Sequence, residues 1–303
     1  MFDIIMPNKS TPVGIMGNAL QSIQQQSYQD WNCYIMDDTP EDWEYWDNYQ
    51  KMLSHFLQDN RFHLIRSETS SPSTARNKGI DSSQADWIAF LDSDDVWFQD
   101  HLDTLAKGLE HYDICFTEIS KVDPHCDLVN LNGLGIDGSV GVKLDVIQVI
   151  QRYEMANFIP DEYQGYFWYG APVWFSALGC QRKVFQNTKF NEGLMIAEDT
   201  DLLLQWVRQG FYPRLIPQKT VHRSIHDNQL TKSISQDRHD ADMDIWLERN
   251  KDFLLTEEVL LSMPIHYRDV MKQNNDLAKE RNMFLEHLNF DIISEEDYEI
   301  EML

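Results

Sequence analysis

Through the first hundred residues, short apolar runs alternate with segments whose apolar positions recur at helical spacing. Phe2 to Met6 is a short apolar run stopped by Pro7, which predicts a buried strand. Pro12 to Gln26 carries Val13, Ile15, Met16, Ala19, Leu20 and Ile23, the spacing of one helix face. Trp31 to Met36 predicts a second strand, closed by Asp37-Asp38-Thr39-Pro40. Asp42 to Gln58 predicts a helix with Trp43, Trp46, Tyr49, Met52, Leu53 and Phe56 as its stripe. Phe62 to Arg66 is a third strand, Ser73 opens a helix that runs through Ser83, and Trp87 to Leu91 is a fourth strand cut off by Asp92-Ser93-Asp94-Asp95.

Strand and helix in alternation with short connections predict a parallel sheet covered by helices, an α/β fold. In such sheets ligands bind beyond the carboxyl ends of the strands. Three strands here end in Pro7-Asn8-Lys9, in Asp37-Asp38 and in Asp92 to Asp95, so residues far apart in sequence are expected at one edge. The pattern then changes. Residues 130 to 142 hold four Gly and predict a loop. Residues 160 to 180 are aromatic and Gly-rich, and serve either as a stacking wall for a sugar or as core. Glu198 to Trp206 opens a helix whose acidic first turn suits the helix dipole. Val221 to Thr231 is polar and reads as irregular, and after Gln236 the chain reads as mostly helical.

Composition narrows the function classes. The 303 residues allow one large domain or two modest ones. Fifty acidic residues against 25 basic ones leave a formal charge of −25, which argues against nucleic acid and against polybasic membrane attachment, both of which need a basic face. A hydrophobic fraction of 42% with nine Trp lies well above that of a disordered chain. Cys33, Cys115, Cys126 and Cys180 include no C-x-x-C pair, so buried reduced thiols are expected rather than a zinc or redox site. No stretch approaches the ~20 apolar residues of a spanning helix. The expectation is a cytoplasmic protein, with peripheral membrane contact left open.

The candidate chemistry starts at Asp92-Ser93-Asp94-Asp95. Hard divalent cations take oxygen ligands, and Mg²⁺ is often shared between one or two carboxylates and substrate phosphates. An Asp-x-Asp on a turn after a strand supplies such carboxylates, although Asp also favours plain strand-ending turns. The order of segments around it resembles the inverting glycosyltransferases of family 2, which have the GT-A fold. The resemblance rests on Ile5-Met6-Pro7, Gln26-Ser27-Tyr28-Gln29-Asp30-Trp31, Asp37-Asp38, Ala75-Arg76-Asn77-Lys78-Gly79 and Phe90 to Asp95. It continues through Leu178 to Phe185, Glu198-Asp199-Thr200-Asp201-Leu202, His222-Arg223 and His226, and spans about residues 2 to 231.

The resemblance implies a mixed, mostly parallel sheet flanked by helices over residues 1–235, followed by a helical, acidic extension over 236–303. It implies transfer of a sugar from a nucleotide-diphosphate sugar, expected to be UDP-linked, to an acceptor hydroxyl with inversion, assisted by Mn or Mg. At matched positions it places Pro7, Asn8, Asp38, Arg76 and Asp92 at the nucleotide and Asp94 at the metal. His226, with His222 competing, is a candidate metal or diphosphate contact, and Asp95 orients the other acids. Asp199 is implied as catalytic base, with Glu198 as the alternative that faces the acceptor. No aromatic residue follows Pro7, where the family often has one beside uracil. The Gln-x-x-Arg-Trp motif of processive synthases is absent after Asp199, which points to single transfers onto a glycan, lipid-linked or protein acceptor. The C-terminal helices leave room for a homodimer. From Asp291 to Glu301 there are six acids and no base, a solvated or partner-facing stretch.

Two other classes share features with the chain. Asp92 to Val96 literally satisfies the signature of haloacid-dehalogenase-type phosphatases, in which the first Asp is a nucleophile, but there the motif ends the first strand and here three strands precede it. A catalytically inactive GT-A binding domain is the other, against which the retained Asp94 and Asp199 argue.

Overall fold

The computed structural model describes residues 1–67, 71–122, 174–211 and 213–224, with 234–235, 237–238, 241–242, 245–246 and 248–250. In chain order the strands are β1 (Phe2–Asn8), β2 (Trp31–Asp37), β3 (Phe62–Arg66), β4 (Trp87–Phe90), β5 (Val96–Trp97), β6 (Ile114–Val122), β7 (Leu178–Gln181) and β8 (Pro213–Ser224). The helices are α1 (Val13–Gln24), α2 (Trp46–Phe56), α3 (Pro72–Ser82), α4 (His101–Leu109) and α5 (Glu198–Arg208).

The eight strands form one sheet in the order β3-β2-β1-β4-β7-β6-β8-β5. β1 runs parallel to β2 and β4, and β2 parallel to β3. β7 is antiparallel to both β4 and β6, β6 is parallel to β8, and β5 is antiparallel to β8. The sheet is therefore mixed and mostly parallel, as expected. Strand alternation divides the core between its two faces. Phe2, Ile4 and Met6 join the cluster built with Leu20, Leu53, Leu102 and Leu105. Ile5 joins Met36, Ala75, Phe90, Phe175, Leu202 and Trp206 in the other.

Pro7 does not end the first strand, which runs on to Asn8. The reason lies in the neighbouring strands. β4 pairs β1 only from Phe2 to Ile5, whereas β2 pairs it through Asn8. The Ile5 carbonyl accepts from Leu91 beyond β4, and the Asn8 carbonyl accepts from Asp38 beyond β2. Alternation turns the nitrogen of Pro7 to the β4 side, where no ladder bond is left for it to make. Two further segments differ from expectation. α2 begins at Trp46 rather than Asp42, since residues 41–45 form turns. Residues 221–224 are the end of β8, not irregular, because β6 and β5 pair them on either side.

α3 sets the geometry that matters for the site. Ser71 accepts the Thr74 N–H at 3.2 Å and Pro72 follows it, a conventional helix start. The helix then lies close against β1 and β2. A Cβ on Gly79 would come within 2.5 Å of Ile5 Cγ2 and 3.3 Å of Met36 Cγ. Both neighbours are fully buried. Gly79→Ala is expected to lower stability by about 1–3 kcal/mol through overpacking, read as a shifted urea midpoint.

Cys33, Cys115 and Cys180 are buried free thiols, as expected, and burial pushes the Cys115 thiol up to about 12. Cys126, the Gly-rich 130–142 segment, most of 160–180, His226 and the acidic tail lie outside the described residues. Among the described residues no helix is long and apolar enough to cross a membrane.

Candidate active site

β2, β1 and β4 are adjacent and parallel, so their carboxyl ends bring Asp37-Asp38, Asn8 and Asp92 to Asp95 to one edge of the sheet. The two members of Asp37-Asp38 then part. Asp37 is fully buried, where it accepts from Asn8 Nδ2 at 3.1 Å and from the Thr39 N–H at 3.1 Å, and pairs with Arg66. Asn8 Nδ2 also lies 3.0 Å from Thr39 Oγ1 and 3.0 Å from Tyr49 Oη. The Asn8 amide thus ties the ends of β1 and β2 together internally. Asp38 is partly exposed, with Lys9 Nζ at 3.5 Å.

The Asp92–Asp95 turn is divided in the same way. Asp95 is buried and accepts from Ser176 Oγ at 2.6 Å, Trp174 Nε1 at 3.3 Å and the Ser224 N–H at 3.0 Å. Burial, followed by Asp94 and Asp92, holds its pKa well above the usual carboxylate range. The Asp92 N–H donates to the same Ser176 oxygen at 3.1 Å, and Ser93 Oγ meets Thr11 Oγ1 at 2.6 Å. These bonds fix the turn from below and leave Asp92 and Asp94 half-buried.

Arg76 connects this turn to α5. It is 6% exposed, and its Nη2 donates to Asp92 Oδ1 at 2.8 Å while Nη1 donates to Glu198 Oε1 at 2.8 Å. Phe190 packs against the guanidinium, 5.4 Å from ring centroid to Cζ. The bridge brings the first turn of α5 to the strand-end acids. Ala197, at φ 58°, sits in the left-handed region immediately before Glu198, a conformation that costs a residue with a Cβ and recurs at functional bends.

The two acids at the start of α5 differ in what holds them. Burial, and after it the negative charge of Asp199, raises Glu198 to about 7, with Arg76 pulling the other way. Asp199 is also raised, chiefly by burial, and its Oδ1 accepts the Thr200 N–H at 2.7 Å. Glu198 is thus held by a guanidinium, while Asp199 has one oxygen held by its own helix. A carboxylate whose proton affinity is raised toward neutrality suits general-base chemistry.

His222 is buried on β8 with its ring centroid 4.1 Å from that of Phe98, and burial lowers its pKa to about 4, which keeps the imidazole neutral. Trp174 and Phe175, at the end of the aromatic segment, are structural. The Trp174 indole donates to Asp95 and stacks on Arg223 with Cζ 3.4 Å from the ring centroid, and Phe175 is a core residue. Sequence pattern gives no sign of the support that Asp95 receives from Ser176 and Ser224. These partners lie 81 and 129 residues away in sequence, and nothing local marks either serine.

Among the described residues no three His, Cys, Asp or Glu side chains converge as a ready-made metal cage. The half-buried carboxylates of Asp92 and Asp94 nevertheless fit a hard cation that draws its remaining ligands from a diphosphate and water.

A family model described as Glycosyl transferase family 2 matches residues 3–169. The succinoglycan biosynthesis protein ExoW of Rhizobium meliloti is 32% identical over 114 residues, 36% of this chain and 34% of that protein. The chain therefore matches only about a third of that relative's length. The amylovoran biosynthesis glycosyltransferase AmsB of Erwinia amylovora is 23% identical over 297 residues, 94% of this chain and 90% of AmsB. Among solved structures, S. aureus TarS (residues 1–349) in complex with UDP-GlcNAc superposes with a TM-score of 0.57 at 14% identity, over 98% of this chain and 77% of that one. The mannosyltransferase PcManGT of Pyrobaculum calidifontis, in complex with GDP-Man and Mn²⁺, also gives 0.57, at 11% identity, over 95% of this chain and 72% of that one. At such identities these two establish the shared fold.

Proposed function

The chain belongs to glycosyl transferase family 2 and is a glycosyltransferase of GT-A fold, and from that premise we propose that it transfers a sugar from a nucleotide-diphosphate sugar to an acceptor hydroxyl in one inverting step. The observation that carries this reading is the Arg76 bridge, which joins the Asp92–Asp95 turn to the helix start that bears Asp199. A donor diphosphate at the turn and an acceptor hydroxyl at Asp199 then share one site.

In the proposed step the acceptor oxygen attacks the anomeric carbon. Its proton passes to Asp199, and the bond from that carbon to the diphosphate oxygen breaks with its electron pair leaving on the nucleotide diphosphate. A single displacement inverts the anomeric centre. Asp94, with Asp92 beside it, is the carboxylate that would hold Mn or Mg, which supplies positive charge to the departing diphosphate. Asp38, on the partly exposed side of the β2 end, is suited to accept a hydrogen bond from a base N–H. A UDP-linked donor is the favoured reading, and TarS supports it by its complex with UDP-GlcNAc. The names of ExoW and AmsB support a glycan acceptor in polysaccharide biosynthesis. Residues 1–235 form the catalytic domain in this reading and 236–303 an extension of it.

The haloacid-dehalogenase alternative does not survive the fold. Asp92 follows the fourth strand, and its carboxylate is held by Arg76.

The test is release of nucleotide diphosphate from a panel of UDP-, GDP-, dTDP- and ADP-linked sugars with Mn²⁺ or Mg²⁺, alongside titration of UDP. Asp94→Ala is expected to weaken Mn²⁺-dependent UDP binding by at least the ~10–100-fold that even outer partners of metal ligands command. UDP binding by this variant that still gains from Mn²⁺ as the wild type does would remove Asp94 from the metal site.

A further inference from the structure

The described part of the chain beyond 236 grips the loop that leads into Glu198 and Asp199. Arg238 and Asp242, one helical turn apart, form an ion pair at 2.8 Å, and the Asp242 carboxylate is fully buried. Asp242 Oδ2 accepts two successive backbone N–H groups, from Met195 at 2.9 Å and Ile196 at 3.1 Å. Arg238 Nη2 donates to the Gly193 carbonyl at 2.8 Å. The next residue but one after this grip is Glu198, across the left-handed Ala197.

A second grip lies on the far side of the two acids. Asn250 Nδ2 donates to the buried Asp201 at 3.0 Å, Gln205 Nε2 donates to Asn250 Oδ1 at 3.0 Å, and Arg249 Nε stands 3.5 Å from Asp201. Arg238 and Asp242 thus hold the 193–196 backbone while Arg249 and Asn250 hold Asp201 and Gln205, with Glu198 and Asp199 between the two grips. Loop backbone fastened by a buried charge through two hydrogen bonds has little freedom to rotate, and charge-assisted bonds of this kind are the stronger ones. Small displacements of a reacting group are costly to rate, so such fastening bears on turnover rather than on donor affinity.

We infer that Arg238 and Asp242 are positioning residues for the transfer, acting through the 193–197 loop to hold Asp199 against the acceptor. The inference rests on the proposed base role of Asp199, and its test separates the two. In the full chain, Asp242→Ala is expected to speed hydrogen exchange at the Met195 and Ile196 amides. It should lower kcat for nucleotide release by about 10²-fold, the cost of misplacing a reacting group by an ångström, with Mn²⁺-dependent UDP affinity unchanged. Asp242→Asn keeps an oxygen for both amides and should recover most of that kcat. Unaltered exchange, unaltered kcat, or a loss of UDP affinity in step with kcat would each overturn the inference. Should Asp242→Ala not fold, Arg238→Ala takes its place. A smaller fall in kcat at constant UDP affinity then supports the inference, and wild-type kcat overturns it. A wild-type chain that releases nucleotide from no donor defeats the transfer reading instead, and the exchange measurement alone then decides whether the loop is held.

Discussion

Asp199→Asn is expected to cut nucleotide-sugar turnover by about 10²–10⁴-fold, the usual contribution of a positioned general base, while UDP binds with Mn²⁺ as it does to the wild type. The amide is the same size as the carboxylate, and its oxygen can still accept the Thr200 N–H that Asp199 Oδ1 accepts at 2.7 Å. The helix start therefore keeps its geometry, and what is lost is the capacity to take a proton. Because burial raises the Asp199 pKa, wild-type turnover should fall as the medium turns acid, earlier than for an exposed aspartate. Single-turnover release of nucleotide diphosphate, read beside a UDP titration, checks both halves. Wild-type turnover in the variant would move the base role elsewhere, with Glu198 the first place to look.

Arg76→Ala is the second large effect, and it falls on stability as well as activity. The guanidinium is 6% exposed and bonded at 2.8 Å to each of two carboxylates. Removing one partner from a buried charge pair costs about 3–5 kcal/mol, because the remaining charge has neither water nor counter-ion. Glu198 carries most of that cost, being 12% exposed against 32% for Asp92. Arg76 is also the group that pulls the Glu198 pKa down against burial and Asp199. Without it, Glu198 takes up a proton at still higher pH. Protonation discharges the unpaired acid, so the loss of stability should be greatest on the alkaline side and shrink as pH falls. Urea unfolding at mildly acid and mildly alkaline pH reads this directly. An equal loss at both would mean that packing against Phe190, not charge, is what Arg76 supplies.

Much of the fold could be read from local pattern. The first four strands, α1 and the convergence of the strand ends all follow from apolar spacing and from the rule for parallel sheets. The exceptions have physical causes. Pro7 looks like a stop until it is known that β4 ends at the level of Ile5. Residues 221–224 look irregular because their polar side chains mask a backbone that pairs with β6 and, at 221 and 222, with β5. Asp37 and Asp38 are identical in sequence terms, yet successive strand residues face opposite ways, and one is taken up by Asn8 and Thr39 while the other reaches the surface. At the site, the acids themselves were legible as motifs. What holds them was not, because Arg76 meets Glu198 across 122 residues and Asp95 meets Ser224 across 129.

Those separations also set the order in which the molecule can assemble. The β1–β4 half closes through neighbouring units of the chain, whose loops are short and whose closure is cheap in entropy. The candidate site requires contacts that span more than a hundred residues, and contacts of that range form late. During synthesis, residue 76 leaves the ribosome long before residue 198, and residue 242 later still. Domains fold as the chain emerges, so the first half of the sheet can stand while Arg76 still waits for its second carboxylate. The site therefore comes into being only after residue 242 has been made, and a chain truncated before Arg238 would hold the sheet, the Asp92–Asp95 turn and Glu198 without the Arg238 and Asp242 contacts to the loop before them.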